Sequence, residues 1–208
     1  EYITFRGFDF QKTRGNSVYM KNDSANNLIY DCHNANNGGI RIDGKNNGIK
    51  NSTLIGGRSV SVYGGDHEKL VSAENYVENC LFDVNGAEVE GLLISSSVGN
   101  RASYNEIHNG RAKLVGLYGK KNIFEYNDVY DGMQYSSDDG LVYGTLMSKG
   151  GVCERGNIFR YNYLHDSNSQ SAIQAGNCAI YTDDCSSGSL IVGNIFKNIN
   201  DGQGMGIH

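Results

Sequence analysis

Carboxylates stand side by side at two places in the chain, Asp138-Asp139 and Asp183-Asp184, and Asp131 lies seven residues before the first pair. Two carboxyl groups held close together cannot both ionise freely. One is pushed towards its protonated form and becomes a proton donor, while the other stays a base or nucleophile. Hydrolysis of a glycosidic bond uses such a pair, about 5–5.5 Å apart for retention of configuration and roughly 6.5–9.5 Å for inversion. The plainer roles of these stretches are an Asx-closed turn at "SSDDG" and a strand exit at "TDDCSSG". Their neighbours argue for chemistry: Tyr143 follows the first pair and Tyr181 precedes the second, each offering a flat face and a hydroxyl. Tyr118 and His208 complete the set of candidates. Asp139, Asp183, Asp138 and Asp131 are the expected acid, base or nucleophile; Tyr143, Tyr181, Asp184, His208 and Tyr118 are the expected binding groups.

Residues more than forty positions apart meet only if the chain folds back on itself, and a repeat supplies the means. "NLIYDCHN" starts at Asn27, "NGIKNSTL" at Asn47, "NYVENCLF" at Asn75, "NRASYNEI" at Asn100, "NIFEYNDV" at Asn122, "NIFRYNYL" at Asn157 and "SLIVGNIF" at Ser189. A degenerate copy, "YITFRGFD", starts at Tyr2. The sixth positions are Gly7, Cys32, Ser52, Cys80, Asn105, Asn127, Asn162 and Asn194, spaced by 25, 20, 28, 25, 22, 35 and 32 residues. A period of this size with strand-like alternation means one solenoid coil per repeat. Amide side chains stacked from coil to coil form an internal ladder.

A further strand of the form apolar-x-apolar follows each loop, at Ile40–Asp43, Val60–Tyr63, Val115–Tyr118, Val142–Thr145, Ile180–Asp183 and Met205–His208. Residues 91–97 belong with them in an open register, and 66–73 read as a loop. With the apolar members inside, one outer column reads Arg41, Ser61, Gly116, Tyr143, Tyr181. The other reads Asp43, Tyr63, Tyr118, Thr145, Asp183, His208. Neighbouring coils lie about 4.8 Å apart, so acids on adjacent coils fall in the range for retention. The longest insertions surround the Val142 and Ile180 strands, and long loops on a rigid scaffold carry function.

The chain has 208 residues, enough to bury a core, and the repeat makes 1–208 one domain. A net charge of −5 argues against nucleic acid or an anionic membrane as partner, and no apolar run is long enough to span a bilayer. The 28 glycines suit frequent tight turns. Of the five cysteines, Cys32 and Cys80 fall on the ladder; Cys153, Cys178 and Cys185 lie in or beside loops, where one disulfide is open. Their spacing matches no zinc site. Neither end carries a cap sequence, so further segments or another chain are expected to cover the solenoid ends.

The run "YNDVYDGMQYSSDDGLVYG…RGNIFRYNYLHD…AIYTDDCSSGSLIVGNIFKNI" resembles the parallel β-helix proteins of bacterial carbohydrate metabolism. It is similar to the branch with glycoside hydrolase families 136 (lacto-N-biosidases) and 141 (fucosidases and xylanases). The chain departs from that branch at Gly144-Thr145-Leu146-Met147, where Gly-Arg-Asp-Trp is frequent, and at Ala112, where His is frequent. The resemblance implies an all-β, right-handed, pectate-lyase-like solenoid of about eight coils. It also implies a saccharide substrate on the outer strand face, aspartates from neighbouring coils, no cofactor, and an extracellular or cell-surface place. The reading is a glycoside hydrolase acting on an oligo- or polysaccharide. Two alternatives stand beside it. A polysaccharide lyase or C5-epimerase abstracts a proton next to a carboxylate, with calcium held by Asp138, Asp139, Asp183 and Asp184 and with Lys149 or Arg155 nearby. A non-catalytic carbohydrate-binding solenoid needs only the aromatic columns.

Overall fold

Each eight-residue phrase folds as two short strands around a bend. Leu28–Tyr30 and His33–Ala35, for example, flank Asp31, whose φ is 54°. The same left-handed residue recurs at the fifth position of every later copy: Asn51, Asn79, Tyr104, Tyr126, Tyr161 and Gly193. That conformation costs a side-chain-bearing residue about 1–2 kcal/mol, so the neighbouring packing must hold it in place. The computed structural model describes residues 2–35, 38–136, 138–144, 155–167, 177–184, 186–199 and 205–208.

The strands assemble into three parallel sheets of eight strands each. The first sheet runs from Thr4–Arg6 to Leu190–Val192, the second from Asp9–Gln11 to Ile195–Ile199, and the third from Val18–Met20 to Met205–Ile207. Every third strand in sequence belongs to the same sheet. The chain is therefore a right-handed parallel β-helix with three strands in each of eight coils. Inside, the first sheet stacks Ile29, Ile49, Val77, Ala102, Phe124 and Phe159, and the second stacks Leu54, Phe82, Ile107, Val129 and Leu164, all withdrawn from water. Ala102 beside Phe124 sets a small side chain against a large one, as close packing requires.

Two amide ladders close the corners of the coil. The sixth-position column stands as the repeat implies. The Cys32 N–H donates to Ser52 Oγ at 3.1 Å, Cys80 to Asn105 Oδ1 at 3.0 Å, Asn105 to Asn127 at 2.9 Å, Asn127 to Asn162 at 3.0 Å and Asn162 to Asn194 at 3.0 Å. Burial pushes the Cys80 thiol up to about 12, so it sits there as an inert small group. The phrase's first position makes a second ladder that the sixth-position reading passed over. Asn27 donates to Asn47 at 3.0 Å, Asn47 to Asn75 at 3.0 Å, Asn75 to Asn100 at 3.1 Å, Asn100 to Asn122 at 2.9 Å and Asn122 to Asn157 at 3.0 Å.

Register corrects the sequence reading at both ends. Phe5 pairs with Ile29, so Gly7, with φ 71°, occupies the bend and Phe8 the sixth position. Glycine is the residue that adopts this backbone freely, and it takes the bend, one place earlier than the sixth position that the repeat assigns it. Ile207 pairs with Ile180, which puts His208 beside Tyr181 and not in the Asp183 column. Met205 and Ile207 pair with Cys178 and Ile180, two places before the Ile180 and Thr182 to which the apolar-x-apolar alignment assigns them. Residues 91–97 settle with Leu92 against Val60 and Ile94 against Val62, turning Leu93 and Ser95 outward. Cys178 is buried with its Sγ 3.2 Å from the Ile180 carbonyl oxygen. Cys153, Cys185, Thr145 and Lys149 lie outside the described residues.

Candidate functional site

The third sheet presents its outer face as a continuous column: Arg41, Ser61, Leu93, Gly116, Tyr143 and Tyr181 pair in register. Strand period two forces this, because Val142 and Ile180 point inward beside them. The rings of Tyr143 and Tyr181 stack at 5.1 Å, Tyr118 meets Tyr143 edge-on at 6.4 Å, and the His208 ring lies 4.5 Å from Tyr181. The Tyr118 ring folds back over Gly116, where an added Cβ would stand 2.8 Å from it.

Each tyrosine hydroxyl reaches an aspartate of the other's coil. Tyr143 donates to Asp183 Oδ2 at 2.6 Å, and Tyr181 donates to Asp138 Oδ1 at 2.6 Å. Desolvation first, then the Asp183 hydrogen bond and charge, raises the Tyr143 pKa; for Tyr181 the Asp138 hydrogen bond is the larger cause. Both phenols are therefore held in the protonated form, with the aspartate oxygens as their acceptors. Such a group is a proton donor kept loaded at neutral pH.

Asp139 departs from the groove role expected of it. It is 5 % exposed, and its carboxylate accepts from Ser136 Oγ at 2.7 Å, the Lys113 N–H at 3.2 Å and the Gly140 N–H at 3.0 Å. Burial raises its pKa, opposed by the nearby Lys113 charge. The reason is register: Asp139 sits at the strand entry beside Asn177, whose Oδ1 accepts its N–H at 3.1 Å, so it fills a ladder place of its own. Asp131 ends the Asp128–Tyr130 strand of the second sheet as a left-handed bend residue and binds the Gln134 side chain at 3.1 Å. Asp184, exposed and left-handed, gives its N–H to Asp183 Oδ1 at 2.7 Å. The structure thus gathers Asp138, Asp183, Tyr118, Tyr143, Tyr181 and His208 on one face. Asp139 lies beneath it and Asp131 on another sheet.

One group escaped the sequence reading. Lys113 comes from the loop before Val115 and sets its Nζ 5.1 Å from the centre of the Tyr143 ring. The strand columns could not show it because it precedes the strand. The signal was the equivalent place one coil on, where "SSDDG" leads into Gly140. The same loop edge carries Arg111, over the Tyr135 ring at 5.4 Å and 3.6 Å from the Glu88 carboxylate; Arg111 and Tyr135 line a cavity of about 510 Å³ with Glu88, Ala112 and Ser136. Among the described residues no group of three or more His, Cys, Asp or Glu side chains is placed to hold a metal ion. Asp138 and Asp183 are engaged with tyrosine hydroxyls instead.

No protein-family model matches the chain, and no curated protein matches it in sequence. Among solved structures it is similar over 100 % of its length to the A-module of the mannuronan C-5 epimerase AlgE4 of Azotobacter vinelandii, at 12 % identity and a TM-score of 0.74. The chain spans about half, 55 %, of that structure's length. It is also similar, over 94 % of its length and 72 % of the other, to an alginate lyase from Paenibacillus sp. strain FPU-7, at 14 % identity and a TM-score of 0.55. Neither is named a glycoside hydrolase, and at these identities what the chain shares with both is the parallel β-helix fold.

Proposed function

We propose that the chain acts on a polyuronate, a polysaccharide of carboxylated sugars, by removing the proton next to the sugar carboxylate, the step common to lyases and C5-epimerases. The observation that supports it is the stacked Tyr143–Tyr181 pair, protonated and aspartate-bound, with Lys113 against one ring and His208 against the other. Lys113 neutralises the sugar carboxylate, which makes the adjacent C5–H acidic. Asp183 takes that proton by way of the Tyr143 hydroxyl, which gives its own proton to Asp183 as its oxygen accepts the one from C5. The electron pair left at C5 then has two fates. It can expel the C4 oxygen, forming a C4=C5 double bond while Tyr143 protonates the departing oxygen, or it can be reprotonated on the opposite face by a tyrosine hydroxyl. Proton transfer from a positioned side chain contributes about 10²–10⁴-fold. The hydrolase reading is weaker, because the two acids that face the groove, exposed Asp138 and half-buried Asp183, already serve as acceptors for the phenols. Polymers of this kind are met outside the cell, and that is where we place the activity.

The test is incubation with polymannuronate and with polygalacturonate in heavy water. Deuterium at C5 or an ultraviolet-absorbing unsaturated end is expected, and Tyr143→Phe should lower either by about 10²–10⁴-fold. New reducing ends with neither signal would restore hydrolysis.

A further inference from the structure

The column that ends in Tyr143 and Tyr181 begins at its other end with a second aromatic and charged cluster. The Arg41 guanidinium lies 4.5 Å from the centre of the Tyr63 ring and 5.2 Å from that of Tyr19. Its Nε donates to Asp43 Oδ1 at 2.7 Å, and the Tyr19 hydroxyl donates to Asp43 Oδ2 at 2.5 Å. Asp43 is 7 % exposed, so the carboxylate lies beneath and fixes the fork from below. The Arg41 side chain is 40 % exposed. A guanidinium carries five N–H donors, more than Asp43 and one phenol oxygen can accept, and rings on either side hold its plane still. A rigid, half-exposed arginine fork matches the geometry of a carboxylate.

Between the two clusters the floor is built from short or folded-down side chains. Ser61, Leu93 and Gly116 make up the column from Arg41 to Tyr143, and Tyr118 lies flat over Gly116. Four strand steps separate Arg41 from Tyr143, about 19 Å at the spacing of parallel strands. We infer that Arg41, clamped by Tyr19 and Tyr63, is a distal subsite that binds a carboxylate of the same polyuronate chain several sugars away from the reacting one. The inference rests on the polyuronate reading and gives it a length requirement: a chain must span the third sheet to use both clusters.

The test measures binding, not turnover. A mannuronate octasaccharide reaches from one cluster to the other, and a disaccharide does not. Arg41→Gln keeps a donor for Asp43 and removes the charge, and should weaken octasaccharide binding about tenfold, the scale of a charged hydrogen bond, while disaccharide affinity stays unchanged. Arg41→Lys should lie nearer the parent, and a neutral cello-oligosaccharide of equal length should not respond to either variant. The subsite is overturned if Arg41→Gln binds the octasaccharide like the parent, or loses the disaccharide equally. A length- and Arg41-dependent affinity in a protein that produces neither C5 exchange nor an unsaturated end would leave the subsite standing and remove the catalytic proposal.

Discussion

Asp139 and Asn127 are both buried polar residues, and they respond to burial in opposite ways. Asn127 is 2 % exposed and neutral, and it accepts from both the Asn105 N–H and the Asn105 Nδ2 while donating to Asn162 and to the Ala102 carbonyl oxygen. Asn127→Ala strands two buried donors and should cost about 2–4 kcal/mol, read from denaturant unfolding. Asp139 carries a charge that burial disfavours, so its folded pKa lies above the unfolded value of 3.8. The folded state therefore binds its proton first. Its contribution to stability is fully present below 3.8 and is lost as pH rises through the raised folded value. The midpoint of the parent relative to Asp139→Asn should accordingly rise as the solution is acidified towards pH 4; a difference that is flat with pH would mean that Asp139 does not titrate this way. Tyr143 works at the other end of the scale. Its proton stays on past the ordinary tyrosine value of about 10, so activity that needs the phenol should not fall between pH 7 and 10. The chemistry of these side chains was legible only in part. Tyr143 and Tyr181 follow from strand alternation alone, whereas Asp139 and Asp138 are neighbours in sequence that the local backbone sends to opposite environments.

At the scale of the strand and its bend, the left-handed residues carry a second task. Tyr104, Tyr126 and Tyr161 stack at 5.0 and 5.2 Å although each sits at a φ between 55° and 58°. An aromatic pair is worth about 0.5–1.5 kcal/mol beyond its buried area, which offsets a conformation that asparagine would adopt more readily. Tyr126→Asn relieves the backbone but breaks two stacks, and Tyr104→Asn breaks one. The first should destabilise more than the second, by about the worth of one stack, in paired thermal or denaturant melts; equal effects would show that the stacks contribute nothing. The sixth-position amides made this corner visible in the sequence. The bend one residue earlier was not, because Asp, Asn, Tyr and Gly share no chemistry. They share only a backbone angle imposed by the ladder next to them. Lys113 was hidden for a related reason, since its place is defined by the loop's approach to the sheet and not by strand alternation.

For the molecule as a whole, the repeat announced the solenoid, and the structure adds that every ladder bond runs the same way: the N–H of one coil donates to the amide oxygen of the next. What the repeat could not announce was which strands at the two ends pair with which, because short apolar-x-apolar stretches fit in more than one register. The uniform direction makes the coils interchangeable parts. Where both ladder positions are asparagine, a coil offers the same donor upward and the same acceptor downward as its neighbour, so such a coil can be lifted out provided the cut falls at the same place in two phrases. Excising residues 100–121 would set Asn122 directly after Gly99, at the same 25-residue distance from Asn75 that Asn100 now has. The shortened chain should fold into a seven-coil solenoid with both ladders closed, showing strand circular dichroism and a cooperative melt. It should be inactive, since Lys113 leaves with the excised coil. A cut three residues longer, 100–124, takes Asn122 with it and brings Asn127 three places too early, so it breaks both ladders and should leave no cooperative transition.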